Sequence, residues 1–146
     1  MSEKTATVEE MKAEWLARLH SLVAQIEQWA RDRDWSTRRI EKRMEDSILG
    51  VYQAPALLLQ QDVVRLFLEP ISHSTPGSEG AVDLYLMPAY DDIASIYFAD
   101  GGWHVHYVFE DSPPAAKFDK SMTQPLSQET FESILKSMKI HAGSIA

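Results

Sequence analysis

Ser36-Thr-Arg-Arg-Ile-Glu-Lys-Arg-Met-Glu-Asp-Ser-Ile-Leu-Gly50 is the stretch that sets how many helices precede the sheet. Ile40, Met44 and Ile48 recur every four residues and make one helix face. Ser36 stands where a cap is needed, Trp35 and Ile40 occupy the staple positions, and Gly50 can close the segment in the left-handed conformation. The spacing predicts a helix from about Thr37 to Leu49. Its charges break a local rule. Arg38 and Arg39 fall in the first turn and Glu45 and Asp46 near the end, each against the helix dipole at a cost of about 0.3–1 kcal/mol. Arg38–Lys42 and Arg39–Arg43 are also like-charge (i, i+4) pairs, which Arg38–Glu41 and Lys42–Glu45 offset only in part. Such a conflict is settled by contacts elsewhere. Arg38, Arg39, Lys42 and Arg43 are therefore expected to meet acids of the same chain, acids of a dimer mate, or an anionic partner surface.

Upstream, Val8, Met11, Trp15, Leu19, Leu22, Ile26 and Trp29 follow one another in steps of three and four. This helical stripe either docks on the chain's own sheet or forms the seam of a homodimer through the Val8–Trp29 helix. Downstream of Gly50 the period changes to two. Strands are expected at Ala56–Gln60, Asp62–Ile71, Ala81–Met87, Ile93–Ala99 and Trp103–Glu110, with Asp100-Gly101-Gly102 as a hairpin turn. Ser127 caps a last helix carrying Phe131, Ile134, Leu135 and Met138. The expected fold is α+β: two N-terminal helices, a mostly antiparallel sheet of four or five strands, and one C-terminal helix packed on one sheet face. Residues 1–146 read as a single domain with flexible ends at 1–7 and 141–146.

The charge is unevenly spread. From Leu66 to Ala116, 51 residues contain no Lys or Arg but eight carboxylates: Glu69, Glu79, Asp83, Asp91, Asp92, Asp100, Glu110 and Asp111. These eight equal the formal net charge of −8, and the other 95 residues balance. A field of one sign repels anions and attracts basic surfaces. This argues against nucleic acid as a partner, since phosphate contacts need clustered cations. No apolar run approaches the roughly 20 residues that span a bilayer. Cys is absent, which excludes disulfides and thiolate chemistry, and a cytoplasmic location is the default expectation.

One strand carries metal-ligand types. Alternation puts His104, His106 and Glu110 on the face opposite Val105 and Tyr107, and two histidines two apart plus a carboxylate can hold a divalent metal. The His-x-His-x-x-x-Glu spacing resembles the first half of the cupin metal motif. The resemblance stops there, because Phe98 and Lys117 stand where that motif has glycines and its second half has no counterpart. The strand around Asp83 is loosely similar to that of restriction-type nucleases, but the acid-x-Lys pair such sites use to hold metal is absent. No nucleophile elbow, phosphate loop or His-Glu-x-x-His is present, and no cofactor is implied. The expectation is an acidic interaction or adaptor-type protein, similar in plan to bacterial adaptor, immunity or secretion-chaperone proteins. Asp83, Asp91 and Asp92 would meet a basic protein partner through the sheet region. A metal or small-molecule site at His104, His106 and Glu110 is the alternative.

Overall fold

The structure is a computed structural model that describes residues 7–109 and 123–144. Helix α1 spans Val8–Arg31. The strands are β1 (Ser36–Asp46), β2 (Gly50–Gln61), β3 (Val64–Ser72), β4 (Ala81–Leu86), β5 (Asp91–Ala99), β6 (Gly102–His106) and the two-residue β7 (Gln124–Pro125), and helix α2 (Gln128–Ser144) follows. The seven strands form one antiparallel sheet in sequence order. Each pairs with its chain neighbour, so β1 and β7 are the edges.

The expected second helix is absent. Thr37 to Leu49 forms strand β1 and the turn after it, so the described residues hold two helices and seven strands rather than three helices and four or five strands. The physical reason lies in the charges. In a strand, residues two apart share a face, and Arg39, Glu41, Arg43 and Glu45 then alternate in sign. Arg43 and Glu45 form an ion pair on that basis. The repulsions that a helix would impose disappear. The closing signal at Gly50 serves a hairpin instead: Gly50 adopts φ +80° to re-enter the sheet, and the Asp46 carboxylate accepts from the Ile48 and Leu49 amides at 2.7 and 2.8 Å. A three-residue loop with a left-handed residue at its end is a common hairpin connection.

Helix α1 starts at Thr7, whose Oγ1 accepts from the Glu10 amide at 3.1 Å, with Glu9 and Glu10 in its first turn and Arg31 in its last. Trp15, Leu19, Leu22, Val23, Ile26 and Ala30 are buried. That stripe is filled by the chain's own sheet and by α2, where the Trp29 and Phe131 rings stand 5.9 Å apart. On the sheet side the core is built by Leu57, Leu59, Leu66, Leu68, Leu84, Ile96 and Val105, and on α2 by Phe131, Ile134, Leu135 and Met138. Along β2 the buried positions shift from Tyr52 and Ala54 to Leu57 and Leu59 across Pro55 and Ala56, both also buried. The distal half of the β1–β2 hairpin thereby brings the Tyr52 hydroxyl to the Trp15 indole, which donates to it at 2.9 Å. Among the described residues no helix is long and apolar enough to cross a membrane.

Candidate functional site

Both helices lie on one face of the sheet. On the other, period-2 geometry sets out Phe67 and Glu69 from β3, Asp83 and Tyr85 from β4, and Ser95 from β5, all half-buried. Register brings them together: Phe67 is opposite Tyr85, Glu69 opposite Asp83, and Asp83 opposite Ser95. Two carboxylates thus occupy adjacent strands on a face that no described helix covers.

A closed network holds them. Tyr85 donates to Glu69 Oε1 at 3.0 Å, and Tyr90 donates to Asp83 Oδ2. The Tyr85 ring makes edge contacts with Phe67 at 6.0 Å and with Tyr90 at 4.4 Å between centroids. Lys42 closes the far side, its ammonium 2.8 Å from Glu69 Oε2 and 2.9 Å from the Pro70 carbonyl. That reach is possible because β2 presents only Ala54 opposite Lys42 and Ala56 opposite Ile40.

The electrostatics are those of a carboxylate short of solvent, with Lys42 as the cation whose charge lowers it. Burial pushes the Asp83 carboxyl above its ordinary range, the Tyr90 and Ser95 hydrogen bonds pull it back, and the Glu69 charge pushes it up again. The Tyr90 hydroxyl is pushed up to about 12, first by its bond to Asp83. Burial, then the bond to Glu69, pushes Tyr85 to about 12 as well. Tyr90 also sits at φ +53°, a left-handed conformation that is costly for an aromatic residue. This residue lies in the β4–β5 turn, next to a register shift in β4–β5, and its hydroxyl reaches Asp83 from there.

The residues singled out from sequence are distributed as follows. Asp83 is in the network, and Lys42 closes it. Asp91 and Asp92 turn to the helix side: Asp91 lies 3.1 Å from His141 Nε2 on α2, which holds its carboxyl below the ordinary range, and Asp92 lies 2.8 Å from the Tyr107 hydroxyl. The structure does not bring them to Asp83. Arg39 pairs with Glu27 of α1 at 3.0 Å, Arg43 pairs with Glu45, and Arg38 is exposed opposite Leu58. His104 stands opposite Tyr97 with its Nε2 3.0 Å from the Ala99 carbonyl, and His106 is buried opposite Ser95. Glu110 lies outside the described residues, and among those residues no three His, Asp or Glu side chains form a metal-holding group.

Glu69, Tyr85 and Tyr90 were not among the expected site residues. The alternation of β3 and β4 carries the signal for the first two, since Phe67 and Glu69 oppose Leu66 and Leu68, and Asp83 shares a face with Tyr85. Tyr90 has no such signal, because its role depends on a turn conformation. A cleft of about 330 Å³ also opens between the end of α1 and α2, beside Arg33, Trp35, Glu132 and Lys139. Two of its three cations are engaged internally, Arg33 with Glu132 at 2.8 Å and Lys139 with Gln61, and Lys136 also lines it. No protein-family model, curated protein or solved structure matches the chain.

Proposed function

We propose that this protein is an interaction domain whose sheet face opposite the described helices takes up a basic segment of a protein partner. The observation that carries this reading is the Glu69–Asp83 pair set among Phe67, Tyr85 and Tyr90. A carboxylate beside aromatic faces offers a Lys or Arg head both a charge partner and a cation–π surface. The chain uses that chemistry internally, with the Arg18 guanidinium 4.2 Å from the Phe98 ring centroid. Lys42 neutralises one of the two acids, and the Leu66–Ala116 block itself supplies no Lys or Arg. The charge of an incoming cation would offset the desolvation and repulsion that raise the Asp83 carboxyl. The same reading places the protein in the cytoplasm, in keeping with its lack of Cys.

Calorimetric titration with a short unstructured arginine-rich peptide at low salt tests it. Binding is expected, and Glu69→Gln with Asp83→Asn should weaken it by more than tenfold, since charge-assisted bonds contribute about 1.5–3 kcal/mol each. Asp100→Asn removes the same kind of charge at an exposed turn whose positive φ Asn tolerates, and should leave binding intact. Because the Asp83 carboxyl is raised, affinity should fall on acidification at a higher pH than an ordinary carboxylate would give. Equal binding by the wild type and the double variant, or no binding at low salt, removes the proposal.

A further inference from the structure

We infer that β1 is a homodimerisation edge, pairing antiparallel with β1 of a second copy in the register centred on Lys42. The strand is 11 residues long and hydrogen-bonded on one side to β2, with no described strand on the other. Its outer row of amides and carbonyls is a template for a further strand. Charges on an edge ordinarily guard against such pairing. Here their order selects one partner and one register.

With a two-fold axis perpendicular to the sheet, each residue faces one of the same parity. Centring on Lys42 sets Glu41 against Arg43, Ile40 against Met44, Arg39 against Glu45 and Arg38 against Asp46. Every pair off the axis is opposite in charge or apolar on both sides, and symmetry repeats each one. Centring on Glu41 sets Arg39 against Arg43 and Arg38 against Met44. Centring on Arg43 sets Glu41 against Glu45 and Ile40 against Asp46. Directly opposed unlike charges stabilise a ladder and like charges destabilise it, so the Lys42 register stands apart from its neighbours.

The one like-charge pair, Lys42 with itself, is already resolved within each copy. Its ammonium is drawn across β2 to Glu69 and the Pro70 carbonyl, away from the axis. The choice of strand also fits the net charge. β1 carries four cations against three acids in a chain of net charge −8, so two copies meet there with little of their general repulsion. The dimer keeps the described helices of both copies on one face and joins the two opposite faces into one surface. It stands independently of the cation-binding proposal.

Sedimentation of the full chain at tens of micromolar is expected to show a dimer. Glu41→Arg alone and Arg43→Glu alone should each weaken it by about tenfold or more, because each turns two attractive pairs into repulsive ones. An equimolar mixture of the two variants should form a heterodimer, and the chain carrying both substitutions should dimerise again. Both positions are exposed, and circular dichroism checks that each variant is folded. A monomeric wild type overturns the inference. So do single variants that dimerise as tightly as the wild type, or a mixture that stays monomeric.

Discussion

Trp15→Ala is expected to destabilise the fold by about 3–5 kcal/mol, the range for removing a fully buried aromatic side chain. Trp15 is 1% exposed, and it joins three elements. Its ring packs in the α1 stripe and its indole donates to Tyr52 on β2. Its Cζ3 also lies only 2.5 Å from where a Cβ on Gly80 would stand, at the start of β4. Removing it leaves a cavity and takes the donor from a buried hydroxyl. A fall in melting temperature of about 10 °C follows for a domain of this size. Gly80→Ala approaches the same contact from the other side. A methyl group there meets the buried indole, and overpacking of this kind costs about 1–3 kcal/mol, to which the positive φ of Gly80 adds strain of its own. The two sites should therefore be coupled: in a Trp15→Leu background, Gly80→Ala should cost less by about 0.5 kcal/mol or more. Urea unfolding of the four chains measures this, and strict additivity would mean that the close approach does not govern the site.

Asp46→Ala should cost about 1.5–3 kcal/mol, because one carboxylate serves the whole β1–β2 turn. It accepts from the Ile48 and Leu49 amides and lies 3.0 Å from His73 Nδ1, which ties the hairpin tip to the loop after β3. The bond from Leu49 holds the Asp46 carboxyl below its ordinary range, with Ile48 and His73 adding to it against the effect of burial. A folded value below the unfolded one means that the stabilisation is complete above the ordinary carboxylate value, about 3.9. It is lost as pH falls through the folded value. Wild-type stability should decline over that acid window, and Asp46→Asn, which does not titrate, should flatten the decline. Melting curves taken from pH 7 into the acid range measure the difference.

The same turn explains what could be read from the chain alone. A left-handed Gly marks both helix ends and hairpins, so Gly50 and the spacing of Ile40, Met44 and Ile48 fitted a helix as well as a strand pair. The like-charge spacing of Arg38 with Lys42 and of Arg39 with Arg43 was the discriminating feature. It pointed to a structure without (i, i+4) neighbours. Period-2 alternation was clear where one face is fully buried, as with Leu66 and Leu68 or Leu84 and Leu86. It failed along β2, where Pro55 and Ala56 are buried between two phases. The acidic block likewise looked like one surface, but the bulged start of β5 sends Asp91 and Asp92 to the helices and leaves Asp83 on the open face. Cross-strand register, which pairs Asp83 with Glu69, has no local sequence signature. Nor has the positive φ of Tyr90.

Amide chemical shifts of the labelled chain, followed while the arginine-rich peptide is added, address the open sheet face most directly. Changes concentrated on Phe67, Glu69, Asp83, Tyr85 and Tyr90 are the expected result. Changes confined to the helix side around Asp91 and Asp92, or none at all at low salt, would contradict the assignment of that face as the binding surface.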